Sequence, residues 1–250
     1  RSATAEEFRA THVVANVPLD SIAPLLGAES PAGRGARSQA KRCGAGWGAL
    51  TLNLGLSRVV HADASRLHHL VKPEGAEAAS GEGLFVSFSP AGDPAAGPGR
   101  QTVSISTHTE VEPWALGGEA YREAKERARE RLLGPVARLF PGLTAAIVHE
   151  DLGTPRTFRR YTRREGGRVG GFRMTRGNSF FAAPDPTLGL PGFQLVGDST
   201  FPGQGTLAAA MSGALAAERL GAVTLFPWGE IAFRRKPSGA PAGAFPRTAL

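Results

Sequence analysis

The segment Phe193–Leu220 constrains the fold of this chain more than any other part of its sequence. Its letters, FQLVGDSTFPGQGTLAAAMSGALAAERL, predict a short buried strand over Phe193–Val196, a tight turn, and a helix over Gly205–Leu220. Gly203 and Gly205 leave the helix start without bulky side chains, so that its unpaired N–H groups and positive dipole end point outward. Such a start accepts a flat or anionic ligand at contact distance, but a plain strand–turn–helix connection uses glycine in the same way. Asp198, at the end of the strand, is placed to accept hydrogen bonds from ligand hydroxyl groups.

An antiparallel sheet with one apolar face is predicted earlier in the chain. The run Leu50–Leu56 alternates leucine with Thr, Asn and Gly, which places four leucines on one side of a strand. Leu84–Ser89, Thr102–Thr109 and Ala145–Glu150 are three further strand candidates. Apart from this sheet, Phe8–Pro18 is predicted to be a short buried strand centred on His-Val-Val-Ala.

One long amphipathic helix is predicted over Gly118–Leu133, where apolar residues recur every three or four positions. Gly134-Pro135 is expected to break it, with Val136–Phe140 as a last turn. Asp20–Leu26 favours one or two helical turns. Glu29–Gly48 is expected to be a loop, because it is rich in Gly, Arg, Ser and Ala.

The composition is that of a globular protein whose positive charge comes from arginine. The chain has 250 residues, of which 41% are hydrophobic and 20% charged, and this excludes wholesale disorder. A net charge of +7 permits attraction to phosphates or anionic lipid. Cys43 is the single cysteine, which excludes an internal disulfide and a multi-thiolate zinc site. We expect no metal site.

Two runs of sequence resemble a known family. VGDSTFPGQGTLAAAMSG, residues 196–213, resembles the carboxyl-terminal flavin-binding motif of the phytoene desaturase family, the carotenoid desaturases and isomerases related to amine oxidases. GTPRTFRRYTRREGGRVGG, residues 153–171, is most similar to carotenoid 3,4-desaturases. The earlier part of the chain is less similar, although its short motifs occur in the same order as in the family. These motifs are HVVANVP, LTLNLGL, His68-His69 and Asp93-Pro94. The resemblance therefore extends to about Leu220 and is specific from residue 153 onward.

The resemblance implies an FAD-dependent oxidoreductase that introduces C=C bonds into a polyene, with a cis–trans isomerase or a polyene saturase of the same family as alternatives. The resemblance implies that the start of the last helix contacts the isoalloxazine ring of FAD. It implies no catalytic acid or base. The residues that it assigns to FAD are Gly197, Asp198, Ser199, Thr200, Gly203, Gln204, Gly205, Thr206 and Leu207. It also implies that the apolar sheet face, with Leu50, Leu52 and Leu54, binds the polyene substrate.

The expected fold class is α/β, with α and β elements mixed in a partial FAD-binding domain of Rossmann-like type and an antiparallel-sheet substrate domain. Residues 1–27 and 153–220 are assigned to the FAD-binding domain, 28–152 to the substrate-binding domain, and 221–250 to a tail. The sequence contains no GxGxxG with the dinucleotide-binding spacing. We therefore expect the carboxyl-terminal half of an enzyme, which needs the missing N-terminal half as its partner and binds FAD weakly alone.

The remaining expectations concern partners and location. Seven arginines between Arg159 and Arg176 fit nucleic acid, a cofactor phosphate, anionic lipid or simply a solvated loop. We expect no nucleic acid partner, because no recognised binding motif accompanies these arginines. A polyene substrate implies a cytoplasmic protein attached peripherally to a membrane surface, and the aromatic and basic run 226–236 is a possible contact. A non-catalytic carrier of apolar ligands on the leucine face is the alternative outside enzymes.

Overall fold

A computed structural model describes residues 7–43, 46–72, 83–171 and 183–221 of the chain. The strands are β1 (Val13–Ala15), β2 (Gly48–Leu56), β3 (His68–Val71), β4 (Leu84–Phe88), β5 (Gln101–Thr109), β6 (Ile147–Gly153) and β7 (Phe193–Leu195). The helices are α1 (Leu19–Leu25), α2 (Pro31–Cys43), α3 (Gly118–Leu139), α4 (Leu143–Ala146), α5 (Pro155–Thr162) and α6 (Thr206–Arg219). Helices and strands are mixed along the chain, which confirms the expected fold class.

Five strands form an antiparallel sheet in the order β3-β4-β5-β2-β6. Leu52 pairs with Ile105 of β5 on one side and with Leu152 of β6 on the other, so β2 is a central strand. The expected antiparallel sheet is confirmed, and β3, which is not among the four strands predicted for it, forms one edge of it.

The core of this sheet lies between its apolar face and α3. The four β2 leucines are at most 2% exposed, and Leu132 and Val136 of α3 are fully buried against the same cluster. An ion pair between Arg129 and Glu150 also ties α3 to β6, with Nη2 and Oε2 2.9 Å apart. The hydrogen bond to Glu150 raises the pKa of Arg129 above its usual range.

Helix α3 continues through Pro135, so the expectation that Gly134-Pro135 breaks it is wrong. Proline removes one backbone hydrogen bond and crowds the preceding turn, which costs an exposed helix about 3 kcal/mol. Here Leu132, Leu133 and Val136 flank the proline and are all buried in the core. Burial of these side chains on the sheet offsets the loss, since each contributes about 1.5–3 kcal/mol.

The second sheet has two parallel strands, β1 and β7, with Val13 paired to Phe193 and Ala15 to Leu195. A smaller core joins them to α1 and α2, and consists of Leu19, Ile22, Ala23, Ala36, Leu188, Phe193 and Leu195. Strand β7 is buried along its whole length, whereas Val13 and Val14 of β1 are each 52% exposed. Strands are present at Val13–Ala15 and Phe193–Leu195, but β1 is mostly exposed, so the expectation that the first strand is buried is wrong, because its only described neighbour in the sheet is β7.

Helix α2 occupies most of the segment that was expected to be a loop, so that expectation is wrong. Ser30 caps the helix start, since its Oγ accepts a 3.0 Å hydrogen bond from the backbone N–H of Gly33. Pro31 follows at the first helical position, where a missing N–H costs nothing. Gly33 also needs its small size, because a Cβ there would lie 2.1 Å from the carbonyl oxygen of Gly27.

The other elements agree with the sequence in most respects. Helices α1 and α6 and strands β4 and β5 lie where they were expected, while β6 begins at Ile147 and is preceded by α4. Helix α5 was not expected. No helix in the described ranges is long and apolar enough to cross a membrane. The run 226–236 lies outside the described residues.

Candidate functional site

The start of α6 is open in the way the sequence predicted. Gly203 and Gly205 have φ angles of +114° and +104°, a backbone conformation that favours glycine, and a Cβ at either position would meet no atom within 4 Å. Gly205 is the N-cap and provides no side-chain hydrogen bond to the first turn. Leu207 in that turn is 76% exposed. The backbone of the helix start is therefore accessible to a flat or negatively charged group.

The turn before α6 is held by a hydrogen-bond relay. The N–H of Gly197 donates to Ser212 Oγ at 2.7 Å, and that hydroxyl donates to the Ala209 carbonyl at 2.7 Å. Gly197 has a φ of +100°, and a Cβ there would lie 2.4 Å from Asn16 Oδ1. Glycine is thus required where the end of β7 passes close to β1.

Ser199 and Thr200 are buried and make internal contacts. Ser199 Oγ accepts a hydrogen bond from the N–H of Leu19 at 3.2 Å, and Thr200 Oγ1 donates to the Gly197 carbonyl at 3.2 Å. Both side chains stabilise the turn from inside the protein. The assignment of these two residues to FAD stays a prediction.

Asp198 is paired with Arg164, which is not among the residues that the resemblance assigns to FAD. Arg164 Nη1 lies 2.7 Å from Asp198 Oδ2, and both side chains are more than three-quarters buried. The same nitrogen donates to the carbonyl oxygen of Gly170 at 3.1 Å. One carboxylate oxygen of Asp198 therefore holds the loop after α5 against the turn, and the other accepts a 3.4 Å hydrogen bond from Ser199 Oγ.

The loop after α5 approaches the site closely at two glycines. A Cβ on Gly171 would lie 1.7 Å from the backbone oxygen of Asp198, and one on Gly170 would lie 2.3 Å from Gln204 Oε1. Only glycine fits at Gly171 without moving the turn. The run of residues 153–171 resembles the family in sequence, but its contact with Asp198 depends on tertiary structure.

The nine predicted cofactor residues lie together in the turn before α6 and in its first turn. Their solvent exposure differs. Gly197, Ser199, Thr200 and Gly203 are buried, and Asp198 is mostly buried, with 18% of its side chain exposed. The exposed members are Gln204, Gly205, Thr206 and Leu207. A ligand at this site would thus meet mainly the four residues from 204 to 207.

Leu50, Leu52 and Leu54 belong to the core under α3, with at most 2% of each exposed. A substrate would reach them only if α3 moved away. The opposite face of the same strand carries Thr51, Asn53 and Gly55, and Asn53 Oδ1 accepts a 2.9 Å hydrogen bond from Ser104 of β5. A substrate role for the three leucines stays a prediction.

His68 and His69 lie on opposite sides of β3, as expected for neighbours in a strand. His68 stacks on Phe85, while His69 packs beside His61 with the ring centres 5.0 Å apart. Among the described residues, no group of three or more His, Cys, Asp and Glu side chains is arranged to hold a metal ion.

The sequence is similar to plant carotenoid isomerases. It is 32% identical to a chloroplastic prolycopene isomerase of Daucus carota over 179 residues, which are 69% of this chain and 29% of that protein. It is 35% identical to the chloroplastic prolycopene isomerase of Arabidopsis thaliana over 142 residues, 56% of this chain and 24% of that protein. No family model matches the chain.

The fold resembles that of an oxidoreductase from Methanosarcina mazei, with a TM-score of 0.53 and 13% identity over 85% of this chain and 43% of that one. At this identity the likeness concerns the fold alone. The chain spans less than a third of the length of the curated relatives it matches.

Proposed function

Because the chain belongs to the family of carotenoid desaturases and isomerases, we propose that it forms part of an FAD-dependent enzyme acting on a polyene, and that the first turn of α6 holds the flavin. The observation that carries this proposal is the open start of α6, where Gly205 is exposed and a Cβ at Gly203 or Gly205 would meet no atom within 4 Å. The two glycines occupy the positions that the family motif assigns to the flavin.

The described residues fit such a cofactor through backbone rather than side-chain chemistry. The absence of a Cβ at Gly205 lets a planar ring approach the peptide groups of Gln204 and Thr206. The N–H groups at the helix start stabilise negative charge brought near them. When bound, FAD supplies the capacity to accept or return a hydride.

The reaction that the relatives favour is cis–trans isomerisation of a polyene, because the matching plant proteins are named prolycopene isomerases. Isomerisation leaves the composition of the polyene unchanged. Desaturation, the reaction first inferred from the family motif, removes two hydrogens for each new C=C bond and needs an electron acceptor. The leucine face on which a non-catalytic carrier would depend is core, and no other described surface favours that alternative.

A dinucleotide-binding part is the partner that this proposal requires. Parallel sheets are normally covered on both faces and contain more than two strands. Strand β1 exposes Val13 and Val14 at 52% each. A further parallel strand with its own helix would cover this surface, and such a unit with a GxGxxG turn would also bind the adenine half of FAD.

Pigment analysis tests the reaction. Expression of the full-length gene in cells that accumulate a poly-cis carotene is expected to give a product of unchanged mass with an all-trans absorption spectrum. A product lighter by two hydrogens per step would establish desaturation instead, and unchanged pigment in the presence of folded protein would refute the proposal.

A pair of glycine variants tests the flavin site in the same full-length protein. Gly205→Leu is expected to abolish retention of FAD, read from the flavin absorbance of the purified protein. Gly92→Leu is the matched control, because Gly92 also has a positive φ, +81°, and no atom within 4 Å of a Cβ, but lies in the turn between β4 and β5. Equal retention of FAD by the two variants would contradict the assignment.

A further inference from the structure

Arg164 differs in exposure from the arginines that precede it in the chain. Arg159, Arg160 and Arg163 are exposed, whereas only 24% of the Arg164 side chain is exposed. Arg163 ends α5 in the left-handed conformation, with a φ of +58°, so the chain changes direction just before Arg164. The side chain of Arg164 is directed inward, to Asp198 in the turn before α6.

One guanidinium nitrogen of Arg164 joins the loop after α5 to this turn. Nη1 donates to Asp198 Oδ2 at 2.7 Å and to the Gly170 carbonyl at 3.1 Å. Hydrogen bonds in which both partners are charged are short and about twice as strong as neutral ones. Because a single nitrogen makes both bonds, the position of the Asp198 carboxylate is fixed relative to the loop.

The loop itself is held at two further points. Arg168 Nη1 lies 3.6 Å from Asp20 Oδ2 of α1, and the N–H of Val169 donates to the Trp47 carbonyl at 2.7 Å. The loop is therefore tied to α1 and to the residue before β2. Arg164 is presented to Asp198 from a supported segment, which is the arrangement that a preorganised binding site requires.

The second carboxylate oxygen of Asp198 keeps the capacity to accept a hydrogen bond. Its one described donor is Ser199 Oγ at 3.4 Å, which is long for a hydrogen bond between two oxygens. A carboxylate oxygen can accept about two hydrogen bonds. Arg164 thus occupies Oδ2 and leaves Oδ1 in a fixed position for a hydroxyl donor.

We propose that Arg164 is a positioning residue for the cofactor site. It holds the Asp198 carboxylate so that Oδ1 accepts a hydrogen bond from a hydroxyl group of the sugar-alcohol chain of FAD. This inference rests on the proposed function, in which the flavin lies at the start of α6. Arg164 acts through Asp198, so its effect is confined to ligands that carry the sugar-alcohol chain.

The test compares two flavins bound by the full-length protein after removal of FAD, with affinities measured by quenching of flavin fluorescence. Riboflavin carries the sugar-alcohol chain, and lumiflavin has a methyl group in its place. Arg164→Gln is expected to weaken riboflavin binding about 10-fold to 100-fold, the range for loss of one hydrogen bond to a charged group. Lumiflavin binding is expected to be unchanged. A merely structural role would weaken the binding of both flavins, because the whole turn would loosen.

A double-variant cycle tests whether Arg164 acts through Asp198. Asp198→Ala is expected to give a loss of riboflavin affinity similar to that of Arg164→Gln. The double variant Arg164→Gln/Asp198→Ala is expected to lose no more than the larger single loss, because the two residues form one unit. Arg163→Gln is the matched control, since Arg163 is the neighbouring arginine and is exposed. It should bind both flavins as the parent does.

Equal urea midpoints of the parent and the variants exclude unfolding as the cause of a loss. Arg164→Lys keeps a donor and the positive charge, and it replaces Arg164→Gln if that variant does not fold; its riboflavin affinity should lie between those of the parent and Asp198→Ala. An unchanged preference for riboflavin over lumiflavin in Arg164→Gln, an equal loss of both flavins, or additive losses in the double variant would overturn this inference alone. A parent protein that binds neither FAD nor riboflavin would refute the proposed function and this inference with it.

Discussion

The two sheets of this protein differ in how much of their own surface they cover. The antiparallel sheet places Leu52 and Ile105 under α3 with no exposed area. The parallel sheet leaves Val13 and Val14 half exposed on β1, and the helix that follows β7 begins at an uncapped, open glycine turn. The antiparallel sheet has its packing partners within the described residues. The parallel sheet presents a surface on β1 that suits a further strand, and an open turn before α6 that suits a ligand.

This difference separates a region that is packed within the described residues from the region that carries the predicted flavin residues. In the antiparallel region, the leucine side chains of β2 pack against α3. The apolar sheet face that suggested a ligand-binding surface is therefore part of the hydrophobic core. In the parallel region, the exposed residues Gln204–Leu207 at the start of α6 are among those that the family motif assigns to FAD. Three sets of substitutions test this difference between the two regions, and each is measured as a change in the free energy of unfolding.

The largest effect is expected for Leu52→Ala. It removes a fully buried side chain from the central strand and should cost about 2–5 kcal/mol, measured by urea unfolding. Val14→Ala, at a position 52% exposed, should cost less than about 1 kcal/mol in the chain alone. A cost at Val14 as large as that at Leu52 would contradict the claim that none of the described residues covers this face of β1.

An intermediate effect is expected for Gly171→Ala. Its methyl group would lie 1.7 Å from the Asp198 carbonyl oxygen, so the turn must move, which should cost about 1–3 kcal/mol. Gly213→Ala in α6 is the control, because a Cβ there meets no atom within 4 Å and alanine favours a helix by about 1 kcal/mol. The close contact would be disproved by equal stability of the two variants.

The smallest effect is expected for Ser212→Ala, which leaves the buried N–H of Gly197 without its acceptor. The cost should be about 1–2 kcal/mol in thermal or urea unfolding. Ser104→Ala removes a hydroxyl that bonds Asn53 on the open face of the antiparallel sheet, and should change stability by less than about 0.5 kcal/mol. Similar losses at both serines would show that the relay does not hold the turn.

The sequence predicted the elements whose signal is local. Alternation of leucine identifies β2, and the glycines around residue 204 identify the open start of α6. Helix α2 was missed because its glycines and arginines suggest a loop, although Ser30 and Pro31 form a helix start signal. Pro135 was misread because the burial of Leu132 and Val136 on the sheet cannot be read from neighbouring residues.

The site was predictable only where it is contiguous in sequence. The turn 197–207 is one segment, and its residues were identified together. Arg164 and Gly171 contact Asp198 across a separation of more than 25 residues, so their part in the site depends on how α5 packs. The cover of the leucine face by α3 is likewise a tertiary property.

Hydrogen exchange of the full-length protein with and without FAD tests the flavin assignment most directly. The backbone amides of Gly203–Leu207 are expected to exchange much more slowly when FAD is bound, while those of α3 keep the same rate in both states. Stoichiometric FAD binding that leaves exchange in residues 203–207 unchanged would contradict the account, because the flavin would then lie elsewhere.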